Sequence, residues 1–74
     1  MTTVNSDDQQ MVGKMARVTG RIAPGHMGEV LVEVRGGVEA FLAHASDNDE
    51  VIERQERVVI VEYFPPRTVY VAKA

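Results

Sequence analysis

Two histidines, one acidic run and a few arginines that can neighbour aromatics are the side chains here whose types suggest chemistry. His26 sits in Pro24-Gly25-His26-Met27-Gly28 and reads as a solvated turn histidine. His44 ends an apolar stretch and faces Ser46-Asp47-Asn48-Asp49-Glu50. It reads as a partly buried histidine satisfied by Asp47, Asp49 or Glu50. Two histidines far apart in a chain without cysteine offer little to a zinc ion. Asp47-Asn48-Asp49 invites calcium, but an EF-hand loop needs glycine at its sixth position and glutamate at its twelfth. Counted from Asp47, those positions hold Ile52 and Val58. Ser46 has no adjacent base in a recognisable elbow. No nucleophile–base pair and no metal set can be assembled, so the expectation is a non-enzyme without cofactor or metal.

Binding chemistry is the remaining option. The aromatics are Phe41, Tyr63, Phe64 and Tyr70. Barrels that bind single-stranded nucleic acid stack bases on aromatics set among basic residues. Arg17 and Arg21, near Phe41, fit that role best, although four aromatics also simply fill a barrel and its ends. Met15 and Met27 suit an adaptable protein-binding patch or fill gaps. The candidate interaction surface is therefore Met15, Arg17, Arg21, Met27, Phe41, Tyr63 and Tyr70.

Charge narrows the partner. Eight Lys and Arg against eleven Asp and Glu leave a net charge of −3. Phosphate backbones need a basic face, so nucleic acid is disfavoured as a partner unless a local basic stripe exists. No apolar run approaches the roughly 20 residues of a membrane span, and Met1 to Gln10 lacks the apolar middle of a signal peptide. With 74 residues and no cysteine, one small domain must hold together by packing alone.

The elements that must position these residues are strands. Lys14 to Ala23 reads as the first, with Ala16, Val18, Gly20 and Ile22 inward and Met15, Arg17, Thr19 and Arg21 outward. Gly20 marks a bend. The turn from Pro24 to Gly28 uses Gly25 and Gly28 for positive φ. Glu29 to Arg35 is the second strand, and Arg35-Gly36-Gly37 turns into the third, Val38 to His44. There Val38, Ala40 and Leu42 are assigned to the core, leaving Glu39, Phe41 and Ala43 outside. Ala45 to Glu50 is a polar break with room for one helical turn capped by Ser46 or Asp47; Val51 and Ile52 anchor it. Arg57 to Phe64, apolar on both faces, is either covered on both sides or bares one face to a partner. Pro65-Pro66 ends it, and Arg67 to Ala72 is the fifth strand, with Val69 and Val71 opposed to Thr68, Tyr70 and Ala72.

Five short strands with one longer connection predict an all-β, five-stranded Greek-key OB-type barrel over residues 13–74. An SH3-like barrel is the alternative. Residues 1–12 read as a disordered tail or linker remnant, because Met1 to Gln10 is polar and an Asn5 or Ser6 helix cap would have too few apolar residues behind it.

From Gly13 to Val71 the sequence resembles the soluble C-terminal domain of the NfeD-like family. The matching stretches are Gly13-Lys14, Ile22 to Val32, Gly36-Gly37, Glu39 to Ala43, Val51 to Val61 and Thr68 to Val71. One departure is Gln55, where the family tends to have glycine before the fourth strand. The resemblance implies an OB barrel tethered to membrane-spanning helices N-terminal to it, with Met1 to Val12 the remnant of the tether. It implies a protein-interaction module on the cytoplasmic side, with flotillin- or stomatin-like scaffold proteins as partners and membrane contact only through the tether. Longer members carry a serine-protease domain, which nothing in this chain resembles, and no catalytic residues carry over. The alternative is a nucleic-acid-binding OB domain resembling the bacterial translation initiation factor one, with Arg17, Arg21, Arg35 and Phe41 as its patch.

Overall fold

A computed structural model of the chain describes residues 11–34 and 36–74. The tail read over Met1 to Gln10, and Arg35 with its share of a turn and a basic patch, lie outside the described residues. Five strands follow one another: β1 (Met15–Gly20), β2 (Gly28–Val34), β3 (Gly37–Ala45), β4 (Arg57–Phe64) and β5 (Thr68–Lys73). They close into a barrel in the order β1-β2-β3-β5-β4. β3 and β5 run parallel, while β4 bridges β5 and β1 antiparallel to both. That order is the Greek key of an OB-type barrel, and it sets the SH3-like alternative aside.

Each strand sends two alternate side chains inward, as a half-buried pleat must. They are Ala16 and Val18, Val30 and Val32, Phe41 and Ala43, Val58 and Ile60, and Val69 and Val71. Ile22 and Ile52 join them from the loops. Their main chains exchange two hydrogen bonds, Ile22 N to Ile52 O at 2.9 Å and Ile52 N to Ile22 O at 2.8 Å. This bridge ties the β1–β2 loop to the β3–β4 loop. Packing also begins earlier than Gly13: Met11 is buried, and its carbonyl accepts from Lys14 N. The boundary at Val12 therefore falls inside the packed unit.

β3 has the opposite orientation to the one expected. Phe41 and Ala43 are buried, while Val38, Ala40 and Leu42 face solvent. The cause is register. Val34 pairs with Gly37 across the hairpin, which sets Phe41 opposite Val30. Directly opposed residues of an antiparallel pair share a face, so Phe41 follows Val30 inward. Glu39 alternates with Phe41 and Ala43, so the strand's own pattern points the other way, and the hairpin overrides it.

The turns differ in detail. The expected bend is a register shift between Val18 and Gly20. The Pro24-Gly25 turn closes through Ala23 and His26, whose main chains bond each other, and Gly25 has φ +71°. Gly28 serves another purpose than positive φ: it begins β2, and a Cβ there would strike the carbonyls of Gly20 and Arg21 and Cγ1 of Ile22. No helical turn forms after Ala45. Instead Asp47 Oδ1 accepts from Asp49 N at 3.0 Å, a side-chain turn of the kind aspartate favours. Before β4, Glu56 N donates to Glu53 O at 3.2 Å, and Gln55 has φ +79°. Positive φ at the third residue is the pattern of a type II turn, where glycine fits best.

Two substitutions test these turns. Gly28→Ala forces backbone to move and should lower Tm by about 10–20 °C, from an overpacking cost of ~2–3 kcal/mol. Gln55→Gly relieves a left-handed conformation worth ~1 kcal/mol and should raise Tm by about 4–8 °C. Thermal unfolding followed by circular dichroism checks both. A neutral Gly28→Ala would show that the β1–β2 approach yields easily.

Candidate protein-interaction face

The outward side chains of β1, β2, β3 and β4 form rows across the barrel wall. In one row Arg57 opposes Arg17, Arg17 opposes Leu31, and Leu31 opposes Ala40. In the next, Val59 opposes Met15, and Glu33 opposes Val38. Between these rows lies a groove of about 440 Å³, lined by Met15, Arg17, Leu31, Glu33, Val38 and Arg57. Its apolar members are open to solvent: Met15 is 48% exposed, Leu31 37% and Val38 58%.

The two guanidinium groups set this groove apart. Arg17 and Arg57 face each other across an antiparallel pair, where side chains start about 5 Å apart. Neither has an ion-pair partner among the described residues. Arg21 pairs with Glu53 at 3.1 Å, Arg67 with Glu39 at 2.9 Å and Lys73 with Glu56 at 3.9 Å, while Lys14 and Arg54 are also without an ion pair among the described residues but do not face a second cation across a strand pair. An acidic domain thus holds two unneutralised cations side by side, beside exposed apolar side chains.

The expected surface residues divide among five places. Met15 and Arg17 do meet, at the groove. Met27 is exposed ahead of β2, and Arg21 is engaged by both Glu53 carboxylate oxygens. Phe41 is not on the surface at all, being 4% exposed. Tyr63 meets it edge-on at 6.0 Å, and the Tyr63 hydroxyl donates to Pro66 O. The cation over Phe41 is Arg67, 5.3 Å from the ring centroid, rather than Arg17 or Arg21. Tyr70 belongs to an outer aromatic cluster, stacked on His44 at 5.0 Å and edge-on to Phe64 at 5.5 Å. His44 therefore packs on a ring and forms no ion pair with Asp47, Asp49 or Glu50. His26 is exposed in its turn.

Leu31, Glu33, Val38 and Arg57 are the groove side chains that spacing does not reveal. Only cross-strand pairing brings Arg57 beside Arg17, 40 positions earlier in the chain. Among the described residues, no three His, Asp or Glu side chains are grouped to hold a metal ion. No helix among them is long and apolar enough to cross a membrane. What the groove can do chemically is bind: it offers apolar contact and charge-assisted hydrogen bonds to an anionic group.

The like-charge pair is testable by stability. Arg57→Thr removes one cation and places a β-branched residue on β4. It should stabilise by ~0.5 kcal/mol, raising Tm by about 2–4 °C in low salt. The gain should shrink in about 1 M salt, where charges more than about 3 Å apart are screened. A fall in Tm would mean that Arg57 is held by favourable contacts instead.

Similar proteins share this architecture. The C-terminal domain of stomatin operon partner protein 1510-C from Pyrococcus horikoshii is 26% identical, with a TM-score of 0.73, over 95% of this chain and 97% of that one. The soluble domain of the NfeD protein YuaF from Bacillus subtilis is 24% identical, with a TM-score of 0.75, over 92% and 77%. The soluble domain of a membrane protein implicated in regulation of membrane protease activity, from Corynebacterium glutamicum, is 20% identical, with a TM-score of 0.73, over 90% and 98%. Among curated proteins none matches. The sequence matches the family model of the NfeD C-terminal domain over residues 15–72, from the start of β1 almost to the end of β5, and the chain belongs to that family.

Proposed function

We propose that this domain is a non-enzymatic interaction module of an NfeD-like membrane protein and engages a flotillin- or stomatin-like scaffold protein through an exposed barrel face. The observation that carries the reading is the open groove of Met15, Leu31 and Val38 beside unpaired Arg17 and Arg57. Exposed apolar side chains grouped on one face of a small domain mark a contact surface. The operon partnership named for the Pyrococcus horikoshii relative supports a stomatin-like partner. The barrel then faces the cytoplasm. The single-stranded nucleic-acid reading is less well supported, because Phe41, the aromatic set near Arg17 and Arg21, is buried, and the domain is acidic.

Biolayer interferometry decides between them. The domain is immobilised and titrated with the purified soluble region of a flotillin- or stomatin-like protein from the same organism. Saturable binding with Kd on the order of 1–100 µM is expected for a small transient interface. No binding there, together with binding of single-stranded oligonucleotides in low salt, would reassign the domain.

A further inference from the structure

The groove on β1, β2, β3 and β4 has a polarity that says what should fill it. Building on the scaffold-binding reading, we infer that it takes a partner peptide segment presenting a carboxylate between apolar side chains. The carboxylate would sit between Arg17 and Arg57, and its apolar neighbours would lie on Met15, Leu31 and Val38.

Three observations converge. The first is charge complementarity. Like charges directly opposed across a strand pair are unfavourable, and neither arginine forms an ion pair among the described residues, Glu33 of the same groove included. Two planar guanidinium forks side by side match one carboxylate or phosphate, each able to bond it bidentately. The second is the apolar floor. Leu31 lies directly across from Arg17, and Met15 and Val38 complete the lining, so an anionic group arriving alone would leave the larger part of the groove unfilled. The third is Glu33, which also lines the groove, opposite Val38. It repels a second anion at that end, which fits one acidic side chain and disfavours a continuous anionic surface.

These features separate a peptide from its rivals. A bilayer rich in anionic headgroups, or a nucleic-acid strand, presents negative charge across the whole contact. The domain carries −3 overall, with Glu33 inside the groove, and would be repelled from both. A segment with one carboxylate among apolar residues meets the two arginines and avoids Glu33.

The test is a two-dimensional ¹H–¹⁵N NMR titration of the domain with four probes. These are a blocked peptide of Leu and Val with one central Glu, the same peptide with Lys, phosphatidylglycerol vesicles, and a single-stranded oligothymidine. The Glu peptide should bind saturably and shift the amides of Met15, Leu31, Val38 and Arg57 more than those of Phe64 and Tyr70. Arg17→Gln with Arg57→Gln should weaken it about tenfold, because rim charges and their hydrogen bonds are lost while the apolar floor stays. The Lys peptide should bind at least tenfold more weakly than the Glu peptide. Both arginines are exposed, and a Tm measured on the double variant controls for folding. Equal binding of the two peptides, shifts on another face, absence of Glu-peptide binding, or preferential binding of vesicles or oligothymidine would each overturn the inference. The double variant is also carried into the scaffold titration. Unchanged scaffold affinity would overturn the groove assignment and leave the module reading standing. No scaffold binding by either form would sink the module reading, while the peptide titration still decides the groove.

Discussion

The pairing of β2 with β3 governs this barrel. A chain of 74 residues has little apolar material to spare, and each strand contributes only two side chains to the barrel's centre. All ten must point inward together. β2 and β3 carry the longest ladder, from Gly28 opposite Ala43 to Val34 opposite Gly37. The short connection between Val34 and Gly37, where Gly36 has φ +82°, sets its phase. A slip of one residue would exchange Phe41 and Ala43 for Ala40 and Leu42. Phe41 is the largest of the ten, and that exchange would take it out of the core and bring Leu42 in. The same phase leaves Leu31 and Val38 outside, so the groove is a by-product of the choice that builds the core.

Where one face of a strand was polar, its orientation was legible. Arg17 and Thr19 against Ala16 and Val18 marked β1 correctly, and Glu29 and Glu33 against Val30 and Val32 marked β2. β4 was bounded by arginine before it and two prolines after it, and its limits agree with the structure. β3 failed because Glu39 shares the alternation of Phe41 and Ala43 and marked their face as the outer one, although Glu39 itself lies exposed near the strand's start and pairs with Arg67. Glycines were legible as turn formers but not in their separate reasons. Gly28 is needed for space against Gly20 and Arg21, which depends on a neighbour strand that spacing cannot see. Gln55 is the converse: it holds a conformation glycine would suit, and its departure from the resemblance was visible in the sequence before its φ was known.

The site was legible to the same degree and for the same reason. Met15 and Arg17 could be assigned outward from their own strand. Arg57 could be seen as a basic residue at the head of β4 but not as the neighbour of Arg17. A contact surface on a sheet is made across strands, so half of its composition lies in the register. Phe41, the presumed stacking platform, went inward with Val30, and that one pairing weakens the nucleic-acid reading more than the net charge does.

The groove also differs from the other way a small barrel can bind, by lending its main chain to a partner strand. β3 pairs with β5 only from Leu42 onward, which leaves the stretch from Gly37 to Phe41 without a strand on that side. Arg67 covers it. Its main-chain carbonyl accepts from Leu42 N at 2.7 Å, its guanidinium donates to Ala40 O at 3.2 Å, and the same nitrogen bonds Glu39. An arginine laid along an otherwise open edge blocks the row of groups that would recruit another strand. With that edge occupied by one cation and its carboxylate, the unneutralised pair of Arg17 and Arg57 lies on the wall instead. Side chains on a wall can discriminate between partners by charge and shape, whereas main-chain pairing accepts almost any extended segment.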